Sequence, residues 1–285
     1  MKRTMTAITL GVVMILGLGG TALAGSGAGA INLTFPIGAR YNALGEAGVA
    51  LSQDVTSTWW NPGGLAFLPD RAKPHDAHIM QSSLAAGLAD DIGLYWAGYG
   101  MPMGKIGALG FNFNYLDMGD QEGMDENGDP TGVFHSYMFA VGATYGVRIS
   151  RTVGVGLGVK YFRDKLSPDN IIQDPNGGGS GDSFGVDLGV LWKVPTIRSN
   201  LGLAVSNLGP DIKHVDADQS DPMPRKVTLG MAFSLYHSEY MGLLLVGDYL
   251  VPLYKWKDND YGFGLEFSQE EYGFGATSRT PAGEE

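Results

Sequence analysis

The densest chemistry in this 285-residue chain is acidic. Asp117, Asp120, Glu122, Asp125, Glu126 and Asp129 crowd one short run that contains no basic residue. Within it, Asp125, Asn127 and Asp129 set oxygen ligands at alternating positions around Gly128, as at the start of an EF-hand loop that holds Ca2+. The bidentate glutamate that closes such a loop at position twelve is missing, so a solvated acidic loop accounts for the same residues. The expectation is no cofactor, with Ca2+ or Mg2+ at acidic outer loops as the candidate exception. Such a cluster also suits divalent ions that bridge to lipopolysaccharide, or a basic partner.

No catalytic set emerges from the other reactive residues. His75, His78, His135, His214 and His237 are scattered, outside any HExxH, nucleophile elbow or paired-carboxylate context. Gly154-Val155-Gly156-Leu157-Gly158 has glycines in a nucleotide-loop-like rhythm, but they lie within a strand pattern that no helix follows. An enzyme is not expected.

The elements that must carry these residues are strands. Between Thr152 and Phe162, Val153, Val155, Leu157, Val159 and Tyr161 alternate with Gly154, Gly156, Gly158 and Lys160. A glycine face gives a soluble core nothing to pack, whereas lipid on one side and a narrow lumen on the other fits the alternation. The same period of two recurs in Leu109–Tyr115, Tyr137–Val147, Phe184–Val194, Leu201–Val205, Val227–Leu235 and Tyr261–Phe267. Less regular strands fall near 77–88, 91–101, 240–251 and 271–279, for about eleven in all. Short connections (Ser150-Arg151, Pro195–Ser199) alternate with long ones (Asp117–Val133, Leu166–Gly181, Leu208–Arg225), the parity of outer-membrane barrels. The expected fold class is all-β, a transmembrane antiparallel up-and-down β-barrel. An odd strand count and the loop-like Pro281-Ala282-Gly283 lead to the expectation of a truncated C-terminus, with fourteen strands when complete.

Bulk properties agree with export. Lys2 and Arg3, the apolar run Ile8–Leu18 and Ala22-Leu23-Ala24 read as a signal peptide over 1–24. Cysteine is absent, and a net charge of −11 makes nucleic acid an unexpected partner. Glycine supplies 44 residues and mean hydropathy is −0.02, with no long apolar run after the leader, which excludes a helical membrane protein.

Residues 25–76 lack a period-two face and are expected to form an N-terminal hatch or plug segment, leaving 77–285 for the barrel. Their marked element is Trp59-Trp60-Asn61-Pro62-Gly63-Gly64-Leu65. Proline followed by glycines could simply stop a short helix and turn the chain toward the first strand, and the tryptophans could be an interfacial anchor.

Together with Gly38-Ala39-Arg40 and Leu44-Gly45-Glu46-Ala47-Gly48-Val49-Ala50-Leu51, this element resembles the N-terminal signature of the PorV/PorQ proteins of type IX secretion, relatives of FadL-type outer-membrane transporters. Gly63 departs from the alanine usual in that family's Asn-Pro-Ala-Gly-Leu element. Ser206-Asn207-Leu208-Gly209-Pro210 and Met223-Pro224-Arg225 resemble further turns of the family. The resemblance covers residues 31–279. It implies a barrel in the bacterial outer membrane that binds type IX secretion components or secreted cargo. The alternative it implies is a FadL-like transporter that takes a hydrophobic ligand through a plugged lumen. Inward positions rich in Gly, Ser, Thr and Asn, with Lys160, Asp187, Lys193 and Glu266, offer no greasy conduit and favour the first.

Overall fold

The computed structural model describes residues 29–71, 75–85, 87, 89, 91–124, 128–166, 179–213, 220–238, 240–254 and 260–269. The expected signal peptide, Asp125, Asn127 and the eleventh expected strand near 271–279 lie outside them. The other ten expected strands are all present. They are β1 (Asp76–Ser83), β2 (Gly93–Pro102), β3 (Ala108–Met124), β4 (Pro130–Arg148), β5 (Val153–Lys165), β6 (Ser180–Val194) and β7 (Ser199–Leu208). A two-residue hairpin, β8 (Ile212–Lys213) and β9 (Ser220–Asp221), precedes β10 (Lys226–His237), β11 (Met241–Pro252) and β12 (Asp260–Gln269). The ten long strands form one antiparallel up-and-down sheet in which chain neighbours pair and β7 meets β10. No described helix is long and apolar enough to cross a membrane; this wall crosses with strands.

Alternation on the wall follows its two solvents. Leu157, Val159, Phe184, Leu188, Leu229, Met231 and Leu265 point outward and are 45–62% exposed, an apolar surface that only lipid would match. On β5 and β10 Gly154, Phe162, Thr228 and Gly230 face inward and are buried, as is Asp248 on β11. Toward the long-connection end an aromatic ladder crosses β2 to β6. Its steps are Tyr95–Tyr115 at 6.3 Å, Tyr115–Tyr137 at 5.8 Å, Phe139–Tyr161 at 6.2 Å and Tyr161–Phe184 at 5.1 Å. Such girdles mark a membrane interface.

One expected loop is mostly strand. Asp117–Val133 was read as a long connection, yet β3 continues to Met124 and β4 begins at Pro130. A register shift between Asp117 and Asp120, with Gly119 at φ +74°, lets the ladder resume as a projecting hairpin. The bulge breaks the period-two pattern, which is why the extension reads as loop.

Residues 29–71 line the inner side of this wall. They form short 3-10 turns at Ile31–Leu33 and Pro62–Asp70 and two short helices, α1 (Ala39–Ala43) and α2 (Ser57–Trp60). Ile37, Val55, Leu65, Phe67 and Leu68 are buried, so the segment supplies much of the apolar core.

Candidate functional site

The Asn61-Pro62-Gly63-Gly64-Leu65 element is the hub between the N-terminal segment and the wall. α2 stops at Trp60 because Asn61 turns extended and Pro62 opens a new 3-10 stretch. The Asn61 amide then does three jobs. Its Oδ1 accepts from Gly63 N at 3.0 Å, and its Nδ2 donates to Val49 O at 2.8 Å and to Val190 O, on β6, at 3.0 Å. A buried amide with every partner in place fixes one geometry.

The glycine face of β5 and β6 seats this element. A Cβ on Gly154 would stand 2.7 Å from Ala66 Cβ, one on Gly156 2.8 Å from Pro62 Cβ, and one on Gly189 2.7 Å from Gly63 N. Gly63 itself comes so near that its own Cβ would be 2.7 Å from Leu191 N. Backbone packs on backbone here, and any side chain would part them. Gly63, the departure from the alanine of the family element, therefore stands at a close backbone-to-backbone approach.

Further contacts repeat around the wall. Asp248 Oδ2 on β11 accepts from Gly48 N at 2.8 Å and Val49 N at 2.9 Å, Asn200 Nδ2 on β7 donates to Ala50 O at 3.3 Å, and Asn32 Nδ2 donates to Asn114 Oδ1 on β3 at 2.9 Å. Arg40 pairs with Glu266 at 2.8 Å, Arg148 grips both oxygens of Asp70 at 2.7 and 2.8 Å, and Lys193 Nζ lies 3.8 Å over the Phe67 ring. Sequence reasoning placed Lys193 and Glu266 inward but missed Asp248, whose partners lie 200 and 199 positions away.

Both tryptophans lie inside the wall instead of anchoring at its outer surface. Trp60 packs 5.2 Å from Tyr41 and donates from Nε1 to Ile37 O at 3.2 Å. Tyr41 Oη meets Thr56 Oγ1 at 2.7 Å within a hydroxyl network that includes Ser52 and Ser57. Burial pushes the Tyr41 phenol up to about 12, and the nearby Asp54 carboxylate adds to the rise.

Trp59 lies under Lys160 Nζ, 5.7 Å from its ring, and Lys160 bonds Asp187 Oδ2 and Asn207 Oδ1, both at 2.7 Å. Asp187 Oδ1 in turn accepts from Asn207 N at 2.8 Å. This fixes Asn207 at φ +61° in the family-like Asn207-Leu208-Gly209-Pro210 turn, and Asn207 Nδ2 reaches Pro224 O at 2.9 Å. The two turn motifs that are separate in sequence thus meet.

Between these groups lies a cavity of about 270 Å³. Its lining includes Glu46, Trp59, Trp60, Lys226, Thr228 and Asp248. Its lining mixes charged and apolar groups.

Two clusters escaped sequence reasoning. Asp54, Asp76 and His78 bring their ligand atoms within 4.8 Å of one another and could hold a divalent cation, although the Arg71 guanidinium already stands 3.5 Å from Asp54. On the projecting hairpin, His135 bridges Asp117 at 3.2 Å and Asp120 at 2.9 Å across the bulge. Asp129 is described and exposed on this hairpin.

Against known proteins, the family model described as type IX secretion system protein PorV matches residues 29–252. No curated protein matches. Among solved structures, the Ralstonia pickettii toluene transporter TbuX is 12% identical with a TM-score of 0.43, over 82% of this chain and 79% of that one. The Pseudomonas putida toluene transporter TodX is 13% identical at 0.44 over 81% and 76%, and a Pseudomonas aeruginosa FadL homologue 11% identical at 0.42 over 79% and 74%.

Proposed function

The chain belongs to the PorV family of type IX secretion system proteins, and we propose that it is a non-catalytic outer-membrane barrel that binds secretion partners or cargo. In this reading the signal peptide at 1–24 exports the chain and residues 25–76 act as a hatch. The acidic hairpin, with Asp117, Asp120, Glu122 and Asp129, offers a basic partner or lipopolysaccharide-bridging divalent ions a contact surface outside the membrane.

One observation carries the choice over a hydrophobic-solute channel. The glycine seats of β5 and β6 are filled by the Asn61–Leu65 element, and the cavity of about 270 Å³ beside it is lined by Glu46, Lys226 and Asp248. Charged groups in that lining do not suit a wholly apolar ligand.

Deleting the gene tests the proposal. Secreted type IX cargo should accumulate in the periplasm while growth on hydrophobic carbon sources is unchanged. Normal cargo secretion with a loss of hydrophobic uptake would overturn it.

A further inference from the structure

We infer that the interior cavity is a binding site for a small organic carboxylate, with Lys226 as the group that receives it. The inference does not depend on the secretion reading. Two other charges near this cavity, Asp248 and Lys160, already have hydrogen-bonded partners. Asp248 takes two backbone N–H groups, and Lys160 is bonded to Asp187 and Asn207. Lys226 differs: among the described residues no hydrogen bond or ion pair holds its ammonium, and the carboxylates of Glu46, Asp187 and Asp248 act on it only through space.

This ammonium lies in the barrel interior, where a cation without a contact partner is costly. Ser206 is the register partner of Lys226 across β7–β10, and Thr228 follows it two residues along the same inward face. Both hydroxyls line the cavity with Lys226, so an anion that pairs with the ammonium finds hydroxyl donors beside it. Trp59, Trp60, Pro36 and Leu250 form the apolar part of the lining, which suits a compact hydrocarbon body. A volume of about 270 Å³ limits that body to a ring or a short chain. Glu46 and Asp248 also line the cavity and disfavour a ligand with more than one negative charge.

The probe is cyclohexanecarboxylate, titrated into the full-length protein in an uncharged maltoside detergent. Emission of Trp59 and Trp60 and calorimetry are the readouts, and cyclohexanemethanol is the neutral isostere. Saturable binding of the carboxylate is expected, at least tenfold tighter than of the alcohol. Lys226→Met should remove that tenfold preference and leave the weak alcohol binding unchanged, whereas Lys226→Arg should keep most of it. Heat-dependent gel mobility confirms that each variant retains its barrel. Equal affinity for carboxylate and alcohol, an unchanged preference in Lys226→Met, or no saturable binding would overturn the inference.

Discussion

Asp248, in the middle of β11, holds the backbone N–H of Gly48 at 2.8 Å through the same oxygen that accepts from Val49 at 2.9 Å. One carboxylate on the wall thus satisfies two consecutive amides of the N-terminal segment in a buried setting. Asp248→Ala should orphan both amides, each at a cost of about 1–3 kcal/mol. Hydrogen exchange at Gly48 and Val49 should speed up while β5 and β6 stay protected; unchanged exchange would show that these contacts do not hold the segment.

Gly156 seats Pro62, and the lipid-facing Val159 sits three residues along the same strand. Gly156→Ala forces its methyl against the Pro62 backbone and should destabilise the packed segment by about 1–3 kcal/mol. Val159→Leu adds a methylene on the open side and should be near neutral. Thermal unfolding of the two variants measures the difference, and equal midpoints would count against the seat.

Removal of residues 25–76 should raise influx of a small hydrophilic solute into liposomes that carry the barrel. The buried residues Ile37, Val55, Leu65 and Phe67 leave with the segment. An influx equal to that of the full chain would refute the hatch.

Tyr41 makes the packed segment alkali-sensitive. Below pH 10 its phenol is neutral whether packed or released. Between pH 10 and about 12 the released phenol ionises while the buried one keeps its proton, so packing weakens as pH rises, by about 3 kcal/mol in total. Proteolysis of the segment across this range should show the loss, and Tyr41→Phe should abolish that part of it. A variant that responds to pH like the parent would refute the assignment.

Lys160 and Asp187 form a buried pair 2.7 Å apart. Asp187→Leu alone leaves a buried ammonium and should cost about 3–5 kcal/mol. Adding Lys160→Met should recover most of that loss. Urea unfolding of the single and double variants reads the coupling, and strictly additive costs would argue against it.

The strands of the wall are written in the period-two pattern alone. Lipid and lumen impose opposite demands on successive residues, so Val153–Tyr161 or Val227–Leu235 announces its strand, its faces and its neighbours without reference to the rest of the chain. The Asn61–Leu65 element was legible as special, because proline and paired glycines restrict or release the backbone locally.

What these features do to one another emerges only in the folded chain. There the glycines of β5 and β6 are occupied seats, Asp248 holds Gly48, His135 bridges Asp117 and Asp120, and Lys226 faces a cavity without a hydrogen-bonded or ion-paired partner among the described residues. These relationships depend on how the sheet curves and where an irregular segment settles inside it. They join residues up to 200 positions apart, whereas a period-two pattern records only which way each side chain points.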